Sequence, residues 1–78
     1  MRLSVRFNDK WIVVPCGEGE NSVEWLIEET IRRAEKENFI AQNYEAFLVQ
    51  SGGKLERKDS IRDVLNDSDF VHILGESI

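Results

Sequence analysis

Residues 10–16, Lys-Trp-Ile-Val-Val-Pro-Cys, constrain this chain more than any other segment. Successive side chains of an extended strand point to opposite faces, so Ile12 and Val14 share one side and Trp11 and Val13 the other. A strand with one solvated face alternates apolar with polar residues. This one is apolar on both. A chain of 78 residues is one domain, and a domain of that size buries only roughly 60% of its unfolded surface. It holds one modest core. Trp11 and Val13 are therefore left for an intramolecular cover or for another molecule.

The flanking segments supply the rest of a sheet. Leu3, Val5 and Phe7 alternate with Arg2, Ser4 and Arg6, and Asn8-Asp9 is a two-residue turn signal. Residues 1–16 thus read as a β-hairpin, with Pro15 marking a strand end or edge. Gly17-Glu18-Gly19-Glu20 is a loop, and Asn21 with Glu24 three residues on opens a helix expected to reach about Asn38. Its stripe is Val23, Leu26, Ile27, Thr30, Ile31 and Ala34, with Glu28/Arg32 and Glu29/Arg33 paired on the outer surface. Trp25 falls off the stripe, and packing against the 17–20 loop is the expected explanation. Phe39–Asn43 connects to a strand at 44–50, Ser51-Gly52-Gly53-Lys54 turns, and Leu55 starts a short strand. Ser60 caps one or two helical turns over 61–65, and 70–74 is a last strand with Val71 and Ile73 inward and His72 outward.

The order β-β-α-β-β-short α-β makes residues 1–78 a single α+β domain. It is a mixed sheet covered on one face by one long helix, with one short helix: a ubiquitin-like β-grasp. The helix is expected over Leu3, Val5, Phe7, Ile12, Val14, Leu48, Val71 and Ile73. The opposite face then carries Arg2, Ser4, Arg6, Lys10, Trp11 and Val13.

Composition excludes several classes of function. A formal net charge of −5 disfavours generic nucleic-acid binding. One cysteine, Cys16, forbids an internal disulfide and fits a reducing, cytoplasmic setting. No apolar run approaches the ~18 residues of a membrane span, and without a charged-then-apolar opening no signal peptide is expected. The chain starts in a strand and stops just after one, as a piece of a longer polypeptide would. One His and one Cys offer neither a metal-ligand spacing nor a nucleophile with its base. Neither Gly17-Glu18-Gly19 nor Gly52-Gly53 is followed by a phosphate-loop Lys-Ser/Thr. No enzyme, cofactor or metal site is expected, and the chain lacks the terminal Gly-Gly of a ubiquitin-type modifier.

Two surfaces of opposite charge remain. Arg2, Arg6 and Lys10 surround Trp11 and Val13 on the hairpin; Asp63, Asn66, Asp67 and Asp69 gather between the short helix and the last strand. Charge runs are usually just solvated faces. Here an aromatic residue sits among the cations, a composition enriched in interface hot spots. Complementary patches on different elements permit head-to-tail contact between copies, which gives rings or filaments.

Met1 to Phe7 followed by Val13-Val14-Pro15-Cys16-Gly17-Glu18-Gly19 resembles the start of the N-terminal domain of the Partitioning-defective three (Bazooka) cell-polarity scaffold family. Leu26-Ile27, Thr30, Asn43-Tyr44, Gly52-Gly53, Leu55 and Asp63-Val64 with Asp67 and Asp69 extend the resemblance over nearly the whole chain. The resemblance implies a β-grasp module, akin to Phox/Bem one and Dishevelled/Axin domains. Such a module self-associates front to back into filaments that concentrate the scaffold at the cell cortex or junction. It implies that an apolar residue at Val13, near basic residues, meets acidic positions aligned with Asn66 and Asp67. This chain departs in having Asn66 for an acid and extra cations at Lys54, Arg57 and Lys58, as a diverged paralogue would.

The expected function is therefore a non-catalytic module whose partner is a second copy of itself. The alternative is a Ras-association-like adaptor that presents Arg6, Lys10, Arg32, Arg33 and Lys36 to an acidic small GTPase.

Overall fold

Backbone pairing follows the alternation in the sequence. The computed structural model describes residues 1–7, 9–34 and 44–75. The elements are β1 (Arg2–Phe7), β2 (Lys10–Pro15), α1 (Val23–Ala34), β3 (Tyr44–Leu48), α2 (Ile61–Val64) and β4 (Phe70–Gly75). The sheet has four strands in the order β2-β1-β4-β3. β1 and β4 are parallel, and the two outer pairings are antiparallel. This is the expected mixed sheet with one long and one short helix. Phe7 pairs with Lys10, so two residues turn the hairpin, and Asp9 takes a positive φ of 64° there.

One face of the sheet is the core. Leu3, Val5, Phe7, Val14, Ala46, Val71 and Ile73 are buried beneath α1, and Ile12, Tyr44 and Leu48 pack against them. Every residue of the expected α1 stripe is buried or packs on the core, and so does Trp25. Gly19 is needed where the loop crosses α2. Its φ is 77°, and a Cβ would lie 2.7 Å from Met1 Sδ and 2.9 Å from Arg62 Cβ.

Three local expectations are corrected. Ser22, not Asn21, caps α1: its Oγ accepts the Trp25 N–H at 3.1 Å. The strand expected at Leu55 shrinks to an isolated pairing of Phe47 with Lys54. The reason is competition for backbone carbonyls. After Leu55 the chain leaves the sheet, and the Asp59 and Arg57 carbonyls accept the Val23 and Glu24 N–H groups at 2.9 and 3.1 Å. These are helix-end donors with no partner inside α1. The third correction is Glu29, which is buried rather than on the outer surface. Arg32 hydrogen-bonds it, and Arg33 Nε donates to it at 3.0 Å. The expected stretch of α1 from 35 to Asn38, the connector at 39–43 and Asn8 lie outside the described residues.

The hydrogen bond from Arg32, then Arg33, holds the Glu29 carboxyl below the ordinary value of 4.5, against the opposing effect of burial. A depressed folded-state value stabilises the fold above the unfolded value. That stabilisation is lost as pH falls through the folded value. Glu29→Gln is therefore expected to melt below the parent at pH 7, with the two melting temperatures converging as acid is added towards pH 3. Thermal melts across that range check it.

Candidate functional site

The face of the sheet opposite α1 has no cover among the described residues. Register aligns its side chains in rows across the strands. One row runs Val13, Ser4, Phe70, and then Val49, whose N–H donates to the Phe70 carbonyl at 3.1 Å. The next runs Trp11, Arg6, His72 and Phe47. Leu74 and Glu45 begin a third. Trp11 reaches diagonally over β1 to meet Phe70 edge-on, with ring centroids 5.7 Å apart and planes at 83°.

The exposed large hydrophobic residues among those described are Trp11, Val13, Val49, Phe70 and Leu74, each between 46 and 56% exposed. All lie on this face or at its margin. Scattered surface hydrophobics are ordinary; a contiguous patch marks an interaction site. Sequence reasoning found Trp11 and Val13 but missed Val49, Phe70 and Leu74. The signal was present in Phe70-Val71-His72-Ile73-Leu74, which is apolar on both faces but for His72, as β2 is.

The nine expected site residues divide into two ends. Lys10 is exposed but does not lie on the open face as expected: it pairs with the buried Phe7, and alternation puts it with Ile12 and Val14 on the α1 side at the hairpin end. Arg6 is close by, with its Nη2 3.0 Å from Asp9 Oδ1. Arg2 sits at the far end of β1, about 13 Å away for four extended residues. There its N–H donates to Asp67 Oδ1 at 2.8 Å and its carbonyl accepts the Ser68 N–H at 2.7 Å. Arg2 thus accompanies the acidic loop rather than the other two cations. Within that loop the Asn66 N–H donates to Asp69 Oδ2 at 2.7 Å, and the Ser4 N–H donates to the Asp69 carbonyl at 3.1 Å. Asp67 and Asp69 therefore fasten the loop to β1. Asp63, exposed on α2, carries its charge to the surface.

The cations of the adaptor alternative are dispersed. Arg32 and Arg33 lie on α1, across the sheet from the open face, and hold Glu29; Arg6 faces Asp9; Lys36 lies outside the described residues. Cys16 is buried, its thiol donating to the Val14 carbonyl at 3.3 Å. Burial pushes that thiol up, against the N-terminal ammonium and Arg33. Among the described residues no three His, Cys, Asp or Glu side chains gather as metal ligands. No helix there is long and apolar enough to cross a membrane.

A family model described as the N-terminal of Par3 and HAL proteins matches residues 1–75. The chain belongs to that family. Among curated relatives, histidine ammonia-lyase of Rattus norvegicus is 32% identical over 96% of the chain, and that of Mus musculus 31% identical over the same share. The chain spans 13% of the length of these relatives. Two solved structures share the fold over the whole chain. One, ATBAG1 in complex with HSP70, has a TM-score of 0.80 at 8% identity, with 41% of that chain covered. The other, the N-terminal ubiquitin-like domain in the 4931431F19Rik protein, has a TM-score of 0.77 at 19% identity, with 76% covered. The ubiquitin-like fold is thereby established, and the family named from the sequence is the one whose N-terminal domain Par3 shares with HAL proteins. Family and fold together fit a non-catalytic scaffold module.

The two kinds of aspartate respond differently to truncation. Asp67→Ala is expected to cost about 1 kcal/mol, the usual net worth of a hydrogen bond. Asp63→Ala is expected to stay within about 0.5 kcal/mol of the parent, as surface changes do. Urea unfolding of both variants measures the contrast.

Proposed function

We propose that this domain is a non-catalytic self-association module that joins copies head to tail. The open face of one copy, with Trp11 and Val13 beside Arg6 and with Lys10 at the adjoining hairpin edge, receives the acidic end of the next, where Asp63, Asn66, Asp67 and Asp69 lie. The observation that carries this reading is the gathering of exposed large hydrophobics on one face, with Arg6 near one end and the acidic loop at the other. Apolar residues supply the desolvated contact, and the charges set approach and register. Chains joined in this way grow into filaments unless the rotation closes them into a ring. By the family resemblance, the module would concentrate a cell-polarity scaffold at the cytoplasmic cortex or junctions.

The curated relatives favour a second setting for the same module. They are ammonia-lyases several times longer than this chain. In such a polypeptide the module would bring enzyme chains together without contributing a catalytic group. The adaptor alternative is disfavoured by the dispersal of its cations and by Glu29, which already holds Arg32 and Arg33.

The test uses a variant blind at each end. Trp11→Ser with Val13→Ser removes the apolar contact of the receiving face. Asp63→Lys opposes Lys10 of the neighbour and leaves the bonds of Asp67 intact. Sedimentation of the parent is expected to give species beyond a dimer as concentration rises, while each variant alone stays monomeric. An equimolar mixture retains one working contact and is expected to stop at a dimer that weakens with salt. A parent that stops at a dimer would show a two-fold interface instead. A parent monomeric at every concentration would remove self-association and leave the adaptor reading.

A further inference from the structure

The reading above takes its receiving surface from β2, an edge strand. Six residues at about 3.3 Å and a strand width of about 4.8 Å give that strip a footprint of roughly 100 Å². A stable interface of standard size buries about 800 Å² on each partner. Even allowing for side-chain relief, β2 alone is too small to hold a second copy. Extension across the four strands raises the footprint to roughly 400 Å² before side-chain relief is counted, half of the standard area rather than an eighth. The register determines what an incoming surface would meet there.

It would meet Phe70. This side chain shares a row with Val13 across Ser4, and Val49 continues the row at the β3 margin. The ring stands half exposed, braced edge-on by Trp11. An aromatic residue held by a second aromatic near the centre of a patch is the usual form of a hot spot, because ordering it on binding costs little entropy. We propose that the receiving face for a second copy is the row Val13, Ser4, Phe70 and Val49 together with Trp11, and that Phe70 is its anchor. The inference rests on the head-to-tail reading and deepens it.

Charge complementarity specifies the occupant. Arg6, shared with Asp9, borders the Trp11 end of this face and Lys10 stands at the hairpin edge behind it, while the receiving copy's own Asp67 and Asp69 border the Arg2 end. An acidic surface is drawn to the first end and repelled from the second. The acidic end of another copy offers Asp63 for the cations and the half-buried Val64 beside it for the apolar row. Phe70, however, directly follows the acidic loop in its own chain, so it could belong to either side of the contact. The capped heterodimer distinguishes the two.

In that dimer the Asp63→Lys chain supplies the receiving face and the Trp11→Ser/Val13→Ser chain supplies the acidic end. Phe70→Thr, which keeps a β-branched residue in β4, is placed in one chain at a time. In the receiving chain it is expected to raise Kd roughly 30-fold or more, the range of a hot spot. In the acidic chain the expected change is less than about threefold. Val49→Thr in the receiving chain, an independent change in the same row, is expected to raise Kd about fivefold. Phe70→Tyr should restore near-parent affinity, and circular-dichroism melts verify that each chain folds. A loss confined to the acidic chain overturns the assignment, as does parent affinity for both Phe70→Thr and Val49→Thr. Failure of the mixture to dimerise, with a monomeric parent, overturns the head-to-tail reading itself and this inference with it.

Discussion

β1 and β4 run side by side and parallel at the centre of the sheet, and the rest of the molecule hangs on that pairing. It joins the first strand of the described chain to the last, so closing it requires the whole intervening chain to be in place. α1 lies under the two strands and buries Leu3, Val5, Val71 and Ile73. The loop before β4 is drawn against the start of β1 by the bonds of Arg2 to Asp67 and Ser68 and of Ser4 to Asp69. Asp67 through its carboxylate, and Asp69 through its backbone carbonyl, thus tie the loop to β1 beside the central pairing.

The same pairing creates the open face. Ser4 and Arg6 are the narrow polar strip between β2 and β4, and both neighbouring strands present apolar side chains outward. A small sheet with one helix covers only one side. A globular chain would ordinarily solvate the other side with polar residues. This chain keeps Trp11, Val13 and Phe70 there while remaining highly charged elsewhere, with 32% charged residues. A high charge content offsets the solubility cost of such a patch, and the charges around it restrict which surfaces can approach.

Membership of a family shared by Par3 and HAL proteins sets this surface in two contexts, a polarity scaffold and a much longer enzyme. Common to both is a small domain at the N-terminal end of something larger. The ubiquitin-like fold tolerates this use because its core needs only one side of the sheet.

Much of the fold was legible in the residues. The alternation of Leu3, Val5 and Phe7, the stripe from Val23 to Ala34 and the hairpin turn are local periodicities, and local periodicity survives in any one-dimensional reading. The apolar second face of β2 was equally visible. What the sequence could not determine were the long-range choices. Ser22 took the cap because the 57–59 backbone docked against α1. The strand at Leu55 was given up to that docking. Glu29 was buried because Arg32 and Arg33 close over it. Arg2 parted from Arg6 and Lys10 because β1 spans the sheet from end to end. Phe70 joined Trp11 only because β4 inserted beside β1, bringing residues 59 positions apart in sequence into ring contact. Periodicity states which way a side chain points; only tertiary pairing decides what stands next to it, and in this protein the candidate site is made of such neighbours.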